Sequence, residues 1–288
     1  MVGHLTIHRT QRHSGLPGSF LPAAEQIEFI ESDRRRQEYQ GWSGYCARPH
    51  GRTIFRQAPR TARITRCDLM QVFHVNLADR EYANWPLEAY PDPHQPFTGS
   101  TRYQKVTPRE PTVLVETETV DTGERKDLFG HIARHVITTR RIMPLRGVQR
   151  EPTETITDGW YIDLDTHLSC DPPWPSSGQA FLTMHRAGEE GDVPTFTSIG
   201  EPERGYVLLS RTTSVDRLAL PDGSTAESTS IVETEVTHLS TAAHDPRVFE
   251  VPAHYRRVDA IRQDPRPPLS VRWLQAYDRF ARRFGGAK

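Results

Sequence analysis

Residues 112–142, TVLVETETVDTGERKDLFGHIARHVITTRRI, form two long runs in which β-branched residues alternate with polar ones, and the run after Gly130 shows no helical period. A chain carrying such a ribbon is bound to an antiparallel sheet, one residue in two facing solvent. The triplet Asp121-Thr122-Gly123 between the runs predicts the hairpin turn. Shorter runs of the same kind follow along the chain: QIEFIES (26–32, leading into the charged RRRQEYQ), ARITRCDL (62–69), QVFHVNL (71–77) and REYANW (80–85). After the ribbon come TDGWYIDLD (157–165), AFLTMHR (180–186), YVLLSRTTSVD (206–216) and SIVETEVTHLS (230–240), with PDGS (221–224) supplying a turn between the last two. At least ten strands result. A hydrophobic content of 35% with a mean hydropathy of −0.64 is low for a compact enzyme core and natural for a half-solvated antiparallel sheet.

Two segments break the pattern. Residues 86–111 are proline-rich and polar, and read as a long loop able to act as a lid over a sheet face. DPRPPLS (264–270) reads as a linker to VRWLQAYDRFARRF (271–284), where Trp273, Leu274, Tyr277, Phe280, Ala281 and Phe284 follow the helical period opposite Arg272, Arg279, Arg282 and Arg283. That helix either docks its apolar face on the sheet or a partner protein, or lies as a basic amphipathic helix on an anionic membrane. The expected organisation is one β domain over 1–262, then linker and helix over 263–288.

A formal net charge of −1 and a pI near 6.9 give no field that favours nucleic acid, and no nucleic-acid partner is expected. No run of about 18 apolar residues is present to form a transmembrane helix. The opening MVGHLTIHRTQRH lacks the apolar stretch of a signal peptide. It predicts a periplasmic or envelope protein if a signal peptide has been removed, and a cytoplasmic one otherwise.

His131 and His135 stand four apart, the spacing that stacks two zinc ligands on one face of a helix. On a strand the same spacing separates side chains by about 13 Å, too far to share one ion. The segment reads as a strand, so no metal role follows. IDLDTH (162–167) approaches a phosphatase D-x-D motif, but Thr166 falls one place early, and Asp163 and Asp165 read as solvent-facing strand residues. No nucleophile elbow, P-loop or dinucleotide fingerprint occurs, and no catalytic, cofactor-binding or metal-ligating residue is nominated. Of the three cysteines, Cys67 and Cys170 lie at the edges of strand-like segments and are the preferred disulfide pair in an oxidising compartment, against three reduced thiols otherwise.

DPRVFEVPAHYRRVD (245–259) resembles the closing strand and tail of LolA/LolB-like domains, in particular a bacterial envelope family whose members end in a phrase like LFEVPAGYKK. FIESDRRRQEY (29–39), RITRCDLMQVFHVNLADREY (63–82) and ETVDTGERKDLFGHIARHVITT (118–139) agree with that family in order, so the likeness spans roughly 5–259. The resemblance implies a strongly curved, unclosed antiparallel half-barrel whose concave face holds a lipid or other apolar molecule. It carries over no catalytic residues. The expectation is a non-enzymatic envelope protein binding a hydrophobic ligand beneath the 86–111 loop. The alternatives are an interaction protein with a self-filled groove and a docking helix at Trp273, Leu274, Tyr277, Phe280 and Phe284, or a metal enzyme or hydrolase assembled from dispersed His and Asp residues.

Overall fold

The computed structural model describes residues 3–15, 22–47, 52–87, 110–145, 152–171, 193–219 and 225–263. The predicted helix at 271–284, the linker before it, AFLTMHR, the PDGS turn and all but the ends of the 86–111 segment lie outside the described residues. Among the described residues the chain is mainly β, with short 3-10 turns at Cys67–Leu69 and Pro246–Phe249 and no α-helix.

One 13-stranded sheet organises the molecule. Its first part comprises β1 (Leu5–Ser14), β2 (Ala24–Glu31), β3 (Arg34–Gln40), β6 (Thr61–Arg66), β7 (Gln71–Asn76) and β8 (Glu81–Pro86), while β4 (Trp42–Ala47) and β5 (Arg52–Gln57) form a separate ribbon. Its second part comprises β9 (Val113–Leu128), β10 (His131–Pro144), β11 (Thr153–Ile162), β12 (Pro194–Ile199), β13 (Tyr206–Ala219) and β14 (Thr225–Ser240). In space the order is β12-β9-β10-β11-β13-β14-β1-β2-β3-β6-β7-β8-β15, where β15 is the short Arg256–Arg257. The pairings are antiparallel except at the two edges, where β12 runs parallel to β9 and β15 parallel to β8. The sheet does not close, since β12 and β15 end it.

The hairpin turn is not at Asp121-Thr122-Gly123, as the sequence suggests. β9 runs straight through that triplet, and the chain reverses at Phe129-Gly130, both at positive φ, as a two-residue turn with right-handed strand twist requires. The triplet instead makes a bulge: Arg125 faces Arg134 and Asp121 faces Val136, so residues 122–124 stand opposite His135 alone. Gly123 takes the φ of +84° that this needs. Asp121 organises the bulge by accepting from Gly123 N at 2.9 Å and from the Arg125 guanidinium at 2.7 and 2.8 Å. That guanidinium, together with the Gly123 N–H, holds the Asp121 carboxyl down at about 2. The residue chemistry of a hairpin and of this bulge is the same, which is why the sequence points to the wrong one of two adjacent signals.

Both faces of the first part are covered. On one face the cross-strand rows Leu5-Ile30-Arg35-Thr65-Val72-Trp85 and Ile7-Glu28-Gln37-Arg63-His74-Ala83 lie side by side. Residues 163–171, irregular rather than the end of a strand, pack there with Leu168 in a cluster of Leu5, Ile7, Ile30, Ile162, Leu208 and Val236. A disulfide joins Cys170 of this segment to Cys67 with a Cα separation of 5.5 Å. Beside it, Arg35 contacts buried Glu28 at 3.2 Å and Asp171 at 3.1 Å and donates to Thr166 O. Asp163 and Asp165 are well exposed, as expected, but stand past the end of β11 (Thr153–Ile162).

Candidate functional site

The opposite face carries the rows Thr6-Phe29-Arg36-Ile64-Phe73-Asn84 and Ile27-Glu38-Ala62-Val75-Tyr82. Strand alternation places Phe29, Ile64, Phe73, Ala62, Val75 and Tyr82 together there, an apolar patch that needs cover. The cover is a strap formed by residues 244–258. Asp245 starts it by accepting from Arg247 N at 2.9 Å, with Pro246 fixing the first turn. Phe249, 1% exposed, is driven into the patch with Ala62, Ile64 and Val75. Arg36 secures the strap from below: its guanidinium pairs with Glu38 at 2.7 Å and donates to Val248 O at 2.9 Å. Downstream, Arg256 N and Val258 N donate to Arg80 O and Tyr82 O, and Asn76 donates to Arg262 O at 2.8 Å, clipping the tail to the β7–β8 hairpin.

The strap does not seal the patch. It leaves a cleft of about 310 Å³ walled by Phe73 and Tyr82 of the sheet and Phe249, Val251, Pro252 and Tyr255 of the strap. Arg66 and Glu250 line it too, and Arg66 spends its charge on Asp68 at 2.6–2.8 Å. A half-open cleft with aromatic and aliphatic walls beside the polar Arg66 and Glu250 suits part of a hydrophobic ligand that keeps a polar end at its mouth.

On the other side of Phe249, three residues far apart in sequence meet. His4 just precedes β1, Glu31 ends β2, and His244 opens the strap, with one donor atom from each lying within 4.8 Å of the others. Glu31 Oε2 lies 3.8 Å from His4 Nδ1 and 3.6 Å from His244 Nε2, while Glu31 Oε1 pairs with Arg34 at 2.9 Å. The two imidazoles stand edge to face at 5.0 Å, and Phe29 and Phe249 hold the His244 ring from 5.8 and 5.3 Å. Burial, with His4 and Arg34 adding, holds the His244 imidazole below its ordinary pKa against the pull of Glu31. It is therefore neutral at physiological pH.

A second cleft, of about 460 Å³, lies on the second part of the sheet. Its lining includes Asp158, Arg211, Glu233 and Arg12, which follow one another across β11, β13, β14 and β1. These charges answer one another: Asp158 takes His135 at 2.7 Å and Arg211 meets Glu233 at 3.4 Å. Trp160 in its floor is stacked by His135 at 4.8 Å and covered by Lys126 Nζ at 4.3 Å. The cleft is a self-answered ionic surface rather than an open site.

His131 and His135 both sit on β10 (His131–Pro144), and His135 binds Thr122 and Asp158 rather than its neighbour. Cys67 and Cys170 come together, whereas Trp273, Leu274, Tyr277, Phe280 and Phe284 lie outside the described residues. Sequence reasoning missed His4, Glu31 and His244, because positions 4, 31 and 244 share no spacing that any local motif could reveal. It also missed β1 as a strand, although Leu5 and Ile7 alternate with Thr6 and His8. No family model and no curated protein matches the chain.

Proposed function

We propose that this is a non-enzymatic binding protein of the bacterial cell envelope, of LolA/LolB-like half-barrel type, that holds a lipid or similar apolar molecule in the cleft between the sheet and the 244–258 strap. The cleft carries the reading: aromatic and aliphatic walls on two independent elements, with the nearest cation already spent on Asp68. At about 310 Å³ it stands at the lower end of ligand-sized pockets, which suits part of an acyl chain rather than a whole lipid. The Cys67–Cys170 disulfide supports an oxidising compartment. The unclosed sheet agrees with the half-barrel that the resemblance implies. The strap coincides with 245–259, the stretch on which the resemblance is most specific.

Native mass spectrometry of gently purified protein, followed by organic extraction, tests this. A retained mass that extracts into organic solvent, or a rise in melting temperature with fatty acid, is expected. Ala253→Trp, which fills the cleft from an exposed strap position, should abolish either signal without unfolding the sheet. A bare chain, indifferent to a lipid mixture, would sink the proposal.

A further inference from the structure

We infer that His4, Glu31 and His244 form a binding site for one divalent transition-metal ion of the zinc type. Two imidazoles and one carboxylate are a donor set that such ions take, with the remaining position left to solvent or a ligand. Metal–ligand bonds of about 2.0–2.2 Å place neighbouring donors roughly 3.3–3.6 Å apart in tetrahedral geometry. The observed separations of 3.8 Å from His4 and 3.6 Å from His244 to Glu31 Oε2 therefore need to close by only a few tenths of an ångström. The pair of histidines, within 4.8 Å, closes by about 1.4 Å, mostly through His4, the most exposed of the three, which just precedes β1.

Three further observations point to a ligand rather than to a chance cluster. First, His4 Nδ1, Glu31 Oε2 and both ring nitrogens of His244 are buried and without a hydrogen-bond partner. Buried polar atoms are ordinarily paired, so three orphans facing one another, His4 Nδ1, Glu31 Oε2 and His244 Nε2, mark a place where a partner belongs. Secondly, the outer shell is built: Arg34 holds Glu31 Oε1, fixing the carboxylate so that Oε2 faces the imidazoles, as ligating carboxylates are held in metal sites. Thirdly, Phe29 and Phe249 fix the His244 ring on its other sides. The charges facing the site are Glu31 and Arg34, which cancel, so a bound ion brings net positive charge and the affinity expected is micromolar rather than nanomolar.

The consequence for the fold is specific. The ion would tie the entry to β1 and the end of β2 to the first residue of the strap, five residues before Phe249. Metal occupancy would then set how firmly the strap closes over the apolar patch, whether or not the neighbouring cleft holds a lipid.

The test uses the full chain carrying Cys46→Ser, which removes the one thiol outside the disulfide. After chelation and dialysis, Zn²⁺ is titrated by calorimetry and Co²⁺ by its visible d–d absorption. One equivalent of zinc should bind with a Kd of about 10 µM and raise the melting temperature by about 4 °C at 100 µM free zinc. Amide exchange over 244–255 should slow. Glu31→Gln and His4→Asn should each weaken binding at least about tenfold. Both changes are near-isosteric or partly exposed, and far-UV circular dichroism confirms that the sheet survives. No binding at 100 µM free zinc (roughly ten times the expected Kd) overturns the inference, as does binding that neither substitution weakens, since the ion would then sit on other histidines.

Discussion

The two parts of the sheet use the same strand chemistry to opposite ends. In β1–β3 and β6–β8 each face has a covering segment: the strap on one, residues 163–171 with their disulfide on the other. Charges there are paired and mostly withdrawn from water, as in buried Arg36–Glu38 and in half-buried Arg35 against buried Glu28. In β9–β11, β13 and β14 the strands are long, yet outside a few buried positions such as Val115, Val136, Ile162, Leu208 and Val236 the residues are half-buried or exposed, and Val120 and Ile156 stand open at 48% and 39%. What fills that surface is an array of opposite charges and hydroxyls, including Arg141 among Glu116, Glu118 and Glu154 and the Thr157–Thr212 contact at 3.0 Å. Strand length and pairing therefore do not mark where the stabilising core lies. The covering segments do, and the candidate site sits where the cover is incomplete.

The sharpest test of this contrast is to release a cover. The Cys67–Cys170 bond closes a loop spanning 103 positions, and chain-entropy reasoning assigns such a loop about 4.7 kcal/mol. Cys67→Ala with Cys170→Ala should lower the urea midpoint accordingly and expose amides in β1–β3 and β6–β7 before those in the middle of β9–β11. Equal loss of protection throughout the sheet would show that the two parts unfold as one unit and that the contrast has no energetic meaning.

The next effect is set by pH. Burial, with Arg63 adding, pushes His74 of the covered part down to about 4. An unfolded histidine takes its proton near 6.5, so between 6.5 and 4 the unfolded chain binds more protons than the folded one. Stability is therefore full above 6.5 and falls as the pH drops toward 4, by on the order of 2 kcal/mol after allowance for partial solvent contact. His74→Gln should flatten that part of a stability–pH curve measured by urea titration. If the slope survives the substitution, the pH sensitivity lies elsewhere.

Much of this architecture is legible in the sequence because alternation is a local signal. The runs around 62–85, 113–142, 206–216 and 230–240 show it without ambiguity, and so the mainly β class follows. The turn at Phe129-Gly130 was obscured because Asp121-Thr122-Gly123 carries stronger turn chemistry, and only pairing distinguishes a reversal from a bulge. β3, RRRQEYQ, hides because Arg36 and Glu38 occupy core-facing positions that a binary pattern reserves for apolar residues. The His4, Glu31 and His244 cluster is illegible for a different reason. Its members are joined by the strap's return across the sheet, a long-range event that no window of the chain contains.

The smallest effect probes the other side of the contrast. Arg211 and Glu233 face each other at 3.4 Å with side chains 59% and 49% exposed, in a row that continues to Asp158 and Arg12. Exposed pairs of this kind contribute little singly, because water and salt screen the attraction and ordering two long side chains opposes it. Arg211→Ala and Glu233→Ala should each shift stability by less than about 0.5 kcal/mol, and the double variant should show a coupling of similar size that shrinks in high salt. A coupling above about 1 kcal/mol would mean that the row acts as a network and braces the open strands as the covering segments brace the others. The uncovered part would then be stabilised across its surface rather than through a core, and its hydroxyl and charge rows would need to be treated as structure rather than as solvated exterior.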